Sequence, residues 1–178
     1  MSGRHKHLVA SLIAAFSALV TLTAIAAIMG VRINTSYSLP LGLYVKANDP
    51  TANLIEFCPT EPYATESASR NYRTRSVICA DGAAPLLKPI IAQPGDAVTV
   101  TSNGIEVNGR LLPNTRPVPF DAAGRPLHSW PKGEYLVADG TLWVASTYNA
   151  GSYDSRYMGP IQITQIRGRL RPLWLLPG

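Results

Sequence analysis

Read from its N-terminus, the chain opens on one long apolar run and then switches to short alternating stretches punctuated by turn residues. Leu8 to Gly30 is 23 residues without a charge, rich in Ala, Leu, Ile and Val. At about 1.5 Å per helical residue it exceeds the roughly 30 Å of hydrocarbon in a bilayer. Arg4 and Lys6 precede the run, and Arg32 is the first charge after it. That basic flank predicts a cytoplasmic N-terminus and export of everything that follows. Two fates of the segment are open. Ala24-Ile25-Ala26 has the small-x-small spacing of a leader-cleavage site, whereas the length of the run favours a retained anchor.

Beyond the run the pattern is that of strands. Asp96-Ala97-Val98-Thr99-Val100-Thr101 alternates, Ser102-Asn103-Gly104 reads as a turn, and Ile105-Glu106-Val107 follows. Asn108-Gly109 is a two-residue hairpin signal leading into Arg110-Leu111-Leu112. Glu134 to Ala138 runs through an Asp139-Gly140 turn into Leu142-Trp143-Val144-Ala145-Ser146, and Gln165 to Arg171 alternates again, with its basic residues expected on the wet face. Pro113 to Pro131 is proline-rich without periodicity and reads as a long connection. The prolines also argue against a sizeable helix outside the apolar segment. The expected fold is mainly β, in open or barrel-like antiparallel sheets. The domain plan is a basic flank (1–7), a transmembrane anchor or signal segment (8–30) and one exported domain (31–178).

Composition narrows the partners. Charged residues are 15% of the chain, prolines number 15, and the net charge is +5. For an exported domain that modest excess suits a surface near anionic headgroups. The Lys and Arg residues form no dense cluster and no aromatic-basic repeat, which argues against nucleic acid. Cys58 and Cys79 bracket a polar stretch that reads as a surface loop, and in an oxidising compartment they are candidates to pair; two free thiols are the alternative. His5 and His7 precede the apolar run, leaving His128 beside the cysteines without ligand spacing, so no metal and no cofactor is implied.

The candidate chemistry begins at Lys88, in Ala84-Pro85-Leu86-Leu87-Lys88-Pro89-Ile90-Ile91-Ala92. An amine among residues that favour burial must find a counter-charge or lose its proton. A desolvated lysine has a lowered pKa and can act as a general base near pH 7. The plainer alternative is a snorkelling side chain with an apolar stem. Ser38 lies fifty positions upstream, in Asn34-Thr35-Ser36-Tyr37-Ser38-Leu39-Pro40-Leu41-Gly42-Leu43-Tyr44. Taken alone, such a serine caps or bonds backbone. Its place just past the apolar run, the tight backbone path offered by Pro40 and Gly42, and the nearby Ser36 hydroxyl together favour a nucleophile. Ser36 could join the Ser38 N–H in an oxyanion hole. A Ser-His-Asp triad is disfavoured, because His128 is the sole histidine after the apolar run.

A third segment, Gly151-Ser152-Tyr153-Asp154-Ser155-Arg156-Tyr157-Met158-Gly159-Pro160-Ile161, carries a family likeness. Its Ser-x-Asp-Ser-Arg-aromatic-x-Gly pattern resembles the C-terminal signature of type I signal peptidases. The Lys88 segment, ending in Gln93-Pro94-Gly95-Asp96-Ala97-Val98, resembles that family's lysine box. Ser-x-Pro-x-Gly-Leu-Tyr around Ser38 is similar to the TraF-type peptidases of conjugative plasmids, as are the cysteine pair and the tail Arg171-Pro172-Leu173-Trp174. The resemblance spans essentially the whole chain. Pro89 departs from the basic residue that commonly follows the lysine, and Tyr37 and Leu39 depart from the housekeeping enzymes toward the conjugative branch.

The resemblance implies a serine–lysine peptidase with Ser38 as nucleophile and Lys88 as general base. Ser152 would hydrogen-bond the Lys88 amine, and Asp154 would pair with Arg156, because pairing with Lys88 would raise the pKa of the base. A plain ion pair holding two loops is the alternative for Asp154 and Arg156. The implied substrate is a pilin precursor, processed and in some members cyclised at the periplasmic face of the bacterial inner membrane, with mating-pair formation proteins as further partners. The rival readings are a general type I signal peptidase and a non-catalytic, membrane-anchored assembly factor.

Overall fold

The computed structural model describes residues 3–177. The apolar run forms α1 (Gly3–Ile28), whose described side chains from Leu8 to Ile25 are exposed. Such a helix is long and apolar enough to cross a membrane, which suggests a membrane anchor or a signal sequence. Gly30 ends it at φ +66°, a left-handed conformation that costs glycine little, and the Val31 N–H donates back to the Ala26 carbonyl at 2.9 Å.

Eleven strands follow among the described residues, with two short α-helices and one 3-10 turn (Ile163–Gln165). In chain order they are β1 (Arg32–Asn34), β2 (Gly42–Ala47), β3 (Leu54–Phe57), α2 (Tyr63–Ser69), β4 (Leu86–Ala92), β5 (Ala97–Val100) and β6 (Ile105–Val107). Then come β7 (Arg110–Leu111), β8 (Gly133–Leu136), β9 (Thr141–Val144), α3 (Ser155–Met158), β10 (Ile161–Gln162) and β11 (Ile166–Leu175). A curled seven-stranded sheet runs β1-β2-β11-β3-β4-β9-β10, and a four-stranded sheet runs β7-β6-β5-β8, every pairing antiparallel. The mainly β expectation holds.

The hairpin signals hold in detail. Asn108 and Gly109 take φ +50° and +77° between β6 and β7, the two positive values that a two-residue turn of this kind requires. The Asp139-Gly140 turn does something different from closing a hairpin. Strand β8 pairs with β5 in the small sheet and β9 with β4 and β10 in the large one, so this turn carries the chain between sheets. Along it Trp143, Ala145, Val137, Val98 and Ile105 form the core that joins the two. The segment between the cysteines, expected as loop, contains the short α2. Cys58 and Cys79 are disulfide-bonded, with Cα atoms 5.6 Å apart.

Candidate active site

The loop between β1 and β2 carries Ser38, and backbone bonds from nearby side chains shape it. Asn34 Nδ2 donates to the carbonyls of Ser36 (3.0 Å), Leu39 (3.2 Å) and Pro40 (3.0 Å), while its Oδ1 accepts from the Ser36 N–H. Tyr44 Oη donates to the Pro40 carbonyl at 2.7 Å. Leu39 inserts into the core beside Tyr44, Leu54 and Leu170, so the residue after Ser38 anchors the loop from below. Gly42 has φ +149°, and a Cβ there would lie 2.3 Å from the Trp174 carbonyl oxygen. Only glycine lets the loop close against β11. Ser38 itself is half-buried and lines a cleft.

Lys88 sits in the middle of β4, opposite Ile55 of β3. Pro89 does not break the strand. It pairs in register with Leu54, and its carbonyl accepts from the Ala145 N–H at 3.2 Å. The Lys88 side chain is only 3% exposed. Its Nζ donates to Ser38 Oγ at 2.6 Å and to Ser152 Oγ at 2.8 Å, and Ser152 Oγ donates to Ser38 Oγ at 3.2 Å. Burial drives the Lys88 pKa down from 10.5 to about 8; the Asp154 carboxylate opposes this and the Arg156 guanidinium reinforces it. An amine in this state, bonded to a hydroxyl, can take its proton near neutral pH.

Asp154 and Arg156 are both wholly buried. They pair through two 2.8 Å bonds, Arg156 Nε to Oδ1 and Nη2 to Oδ2. Arg156 also donates to the carbonyls of Asn114 (2.8 Å), Asn149 (3.2 Å) and Ala150 (2.7 Å). Asp154 caps α3 by accepting from the Arg156 N–H, and accepts from the Ser146 N–H at 3.0 Å. The pair therefore fixes the loop that delivers Ser152, and Asp154 bonds Arg156 rather than Lys88. Ser36 is hydrogen-bonded to Ser38, but as an acceptor and not as a second donor beside the Ser38 N–H. The Ser38 N–H donates to Ser36 Oγ at 3.2 Å, a bond that an incoming oxyanion would have to replace.

Two residues of this neighbourhood escape a motif reading. Asn34 shapes the Ser38 loop, and Ser146, wholly buried, donates from Oγ to the Ser38 carbonyl at 2.6 Å. Neither lies in a recognisable pattern; Asn34 carries the only local signal, as a residue that readily bonds nearby backbone. Around this centre opens a cleft of about 630 Å³. Ile33 forms one side, Tyr72 and Ile78 from the disulfide-closed segment another, and Leu127 from the proline-rich connection a third. Among the described residues no cluster of metal-ligating side chains occurs.

Residues 4–175 match the family model described as signal peptidase, peptidase S26. The chain is 33% identical over 175 residues to a plasmid transfer protein TraF of Escherichia coli, covering 97% of this chain and 98% of that one. It is 34% identical over 177 residues to a conjugal transfer protein TraF of Agrobacterium tumefaciens, covering 96% and 97%. A probable conjugal transfer protein TraF of Sinorhizobium fredii is 36% identical over 143 residues, 78% of this chain and 74% of that one. A crystal structure of a signal peptidase I from Enterococcus faecalis aligns with TM-score 0.36 and 17% identity, over 71% of this chain and 99% of that one.

Proposed function

The chain belongs to the signal peptidase family, peptidase S26, on its TraF-type branch, and on that premise we propose that it is a serine–lysine endopeptidase that processes a pilin precursor for plasmid conjugative transfer. The observation that carries the reading is the 2.6 Å approach of a buried lysine amine to a half-buried serine hydroxyl, both lining one cleft. The conjugative context comes from relatives whose names are plasmid or conjugal transfer proteins.

In this mechanism the neutral Lys88 amine accepts the Ser38 Oγ proton as the oxygen attacks the scissile carbonyl. The oxyanion displaces Ser36 Oγ from the Ser38 N–H, and the released Ser36 hydroxyl is free to donate to it as a second partner. Collapse breaks the C–N bond, and the Lys88 ammonium protonates the leaving amine. The ester on Ser38 is then resolved by water, or by an amine of the pilin itself to give a cyclic product. Ser152 Oγ holds the amine in line by a neutral hydrogen bond, so it orients Lys88 without adding a charge that would keep it protonated. Asp154 and Arg156 neutralise each other and hold the Ser152 loop.

Residues 8–30 anchor or lead the chain at the inner membrane, with residues 31–178 in the periplasm, where a disulfide between Cys58 and Cys79 is stable. The test is the intact mass of pilin from cells carrying the wild type, Ser38→Ala or Lys88→Ala. Processed pilin with the wild type and full-length precursor with both variants is expected; a mass one water below the linear product identifies cyclisation. Normal pilin with both variants overturns the peptidase reading in favour of an anchored assembly factor. Loss of processing across many exported proteins would point to a general signal peptidase.

A further inference from the structure

Ser146 lies outside every motif that the chain displays, yet its one hydroxyl proton is spent on the nucleophile's own carbonyl. It follows directly on β9 and Ala145, and it is wholly buried. A serine hydroxyl has one proton to give and two lone pairs to receive. The proton goes to the Ser38 carbonyl at 2.6 Å, across 108 residues of sequence. The lone pairs receive the N–H groups of Tyr148 (3.2 Å) and Asn149 (2.9 Å). Its own N–H donates to Asp154 Oδ2 at 3.0 Å. The same loop, 147–151, carries the Asn149 carbonyl to which Arg156 and the Ser152 N–H donate.

From this arrangement we infer that Ser146 is a positioning residue for the reaction: its hydroxyl fixes the peptide of Ser38 to the loop that delivers Ser152, and so sets the Ser38 hydroxyl against the Lys88 amine. The inference rests on the serine–lysine reading above. The Ser38 side chain is short, so its Oγ goes where its backbone goes. The Ser38 N–H is held by Ser36, a hydroxyl that must yield to the oxyanion, whereas the carbonyl is held by a group that takes no part in the chemistry. Ser146 therefore keeps the nucleophile in register while the other bond is exchanged. Displacement of a reacting oxygen by a fraction of an ångström is enough to lower a rate steeply, because the attack depends on distance and direction. The Ser146 hydroxyl bonds Ser38, Tyr148 and Asn149 and not Lys88, and it does not line the cleft, so its removal leaves the hydrogen bonds of the amine and the substrate cleft as they are.

The test uses the full chain in detergent micelles and p-nitrophenyl acetate, an activated ester that acylates serine hydroxyls, with acetylation of Ser38 verified by peptide mass. The burst rate is followed against pH for the wild type, Ser146→Ala and Ser146→Thr, with burst amplitude counting the folded sites. The expected result for Ser146→Ala is a burst slower by about tenfold or more at undiminished amplitude, with the pH of half-maximal rate unmoved. Ser146→Thr, which retains the hydroxyl, recovers the rate to within about threefold. A Ser146→Ala burst rate within about twofold of wild type overturns the inference, since a mispositioned nucleophile must be slow. A shifted pH midpoint, or a loss confined to amplitude, overturns it equally by showing a change in Lys88 or in folding instead. A wild type lacking a Ser38-dependent burst overturns the serine–lysine reading, and this inference with it, so the two failures are distinct.

Discussion

Replacing Lys88 with methionine should make the protein more stable near neutral pH and less responsive to alkali. The Lys88 amine is buried, and its pKa falls from 10.5 to about 8. Between those two values the unfolded chain holds a proton that the folded chain has released, so stability rises with pH through this window. The contribution is complete above the unfolded value and is lost as the pH falls through about 8. At 1.36 kcal/mol per unit the full span is about 3 kcal/mol, most of which develops between pH 7 and pH 10. Lys88→Met fills similar space without the amine, so it lacks this rise. Its advantage over wild type should be greatest at pH 7 and shrink by about 2–3 kcal/mol at pH 10. Urea unfolding of the full chain in micelles at several pH values measures both curves. Subtracting one from the other cancels the tyrosines, which titrate alike in both proteins. A difference that stays flat from pH 7 to pH 10 would refute a desolvated amine at this position, and with it the physical basis for a lysine base.

Three further outcomes are expected. Ser152→Ala should lower the rate of Ser38 acylation by roughly 10–100-fold with little change in KM, because the amine loses the hydroxyl that aims it; equal kcat values for variant and wild type would remove Ser152 from the site. Reducing the Cys58–Cys79 bond, or replacing both cysteines with alanine, should lower unfolding stability by about 3 kcal/mol for a bridge spanning 21 residues, read as a fall in the urea midpoint; an unmoved midpoint would show that the loop is held without it. Arg156→Met strands the buried Asp154 carboxylate and should cost about 3–5 kcal/mol, also read by urea unfolding, whereas an apolar replacement of both partners should cost less. A double variant as unstable as Arg156→Met would place the cost in the backbone groups that the pair bonds rather than in the stranded carboxylate.

How far the sequence discloses this molecule depends on the kind of signal each part leaves. The apolar helix α1 and the β5–β6–β7 meander are legible because their patterns are local: uncharged length in one case, alternation closed by Asn108-Gly109 in the other. Strands β3 and β4 are harder to read. Leu54 to Phe57 is buried on both faces, and β4 carries a lysine and a proline, so neither alternates. The Asp139-Gly140 turn is visible, but whether it closes a hairpin or changes sheet depends on which partners the strands find, a long-range choice. Within the site, Ser38, Lys88, Ser152, Asp154 and Arg156 sit in three short patterned segments; hydrogen bonds join Lys88 to Ser38 and Ser152, and the buried Asp154–Arg156 pair lies beneath the same loop. Asn34 and Ser146 act on backbone carbonyls, and a side chain that bonds a carbonyl 108 residues away leaves no pattern in its own neighbourhood.

The claim at the centre is that Ser38 forms the acyl-enzyme with Lys88 as its base. The most direct measurement is peptide mass spectrometry of the full-length protein, acid-quenched during turnover of the pilin precursor. The account predicts a pilin acyl group on the Ser38 peptide of the wild type, none in Ser38→Ala, and far slower accumulation in Lys88→Ala. Processed pilin released by the Ser38→Ala protein, or an acyl group carried on another residue, would contradict it.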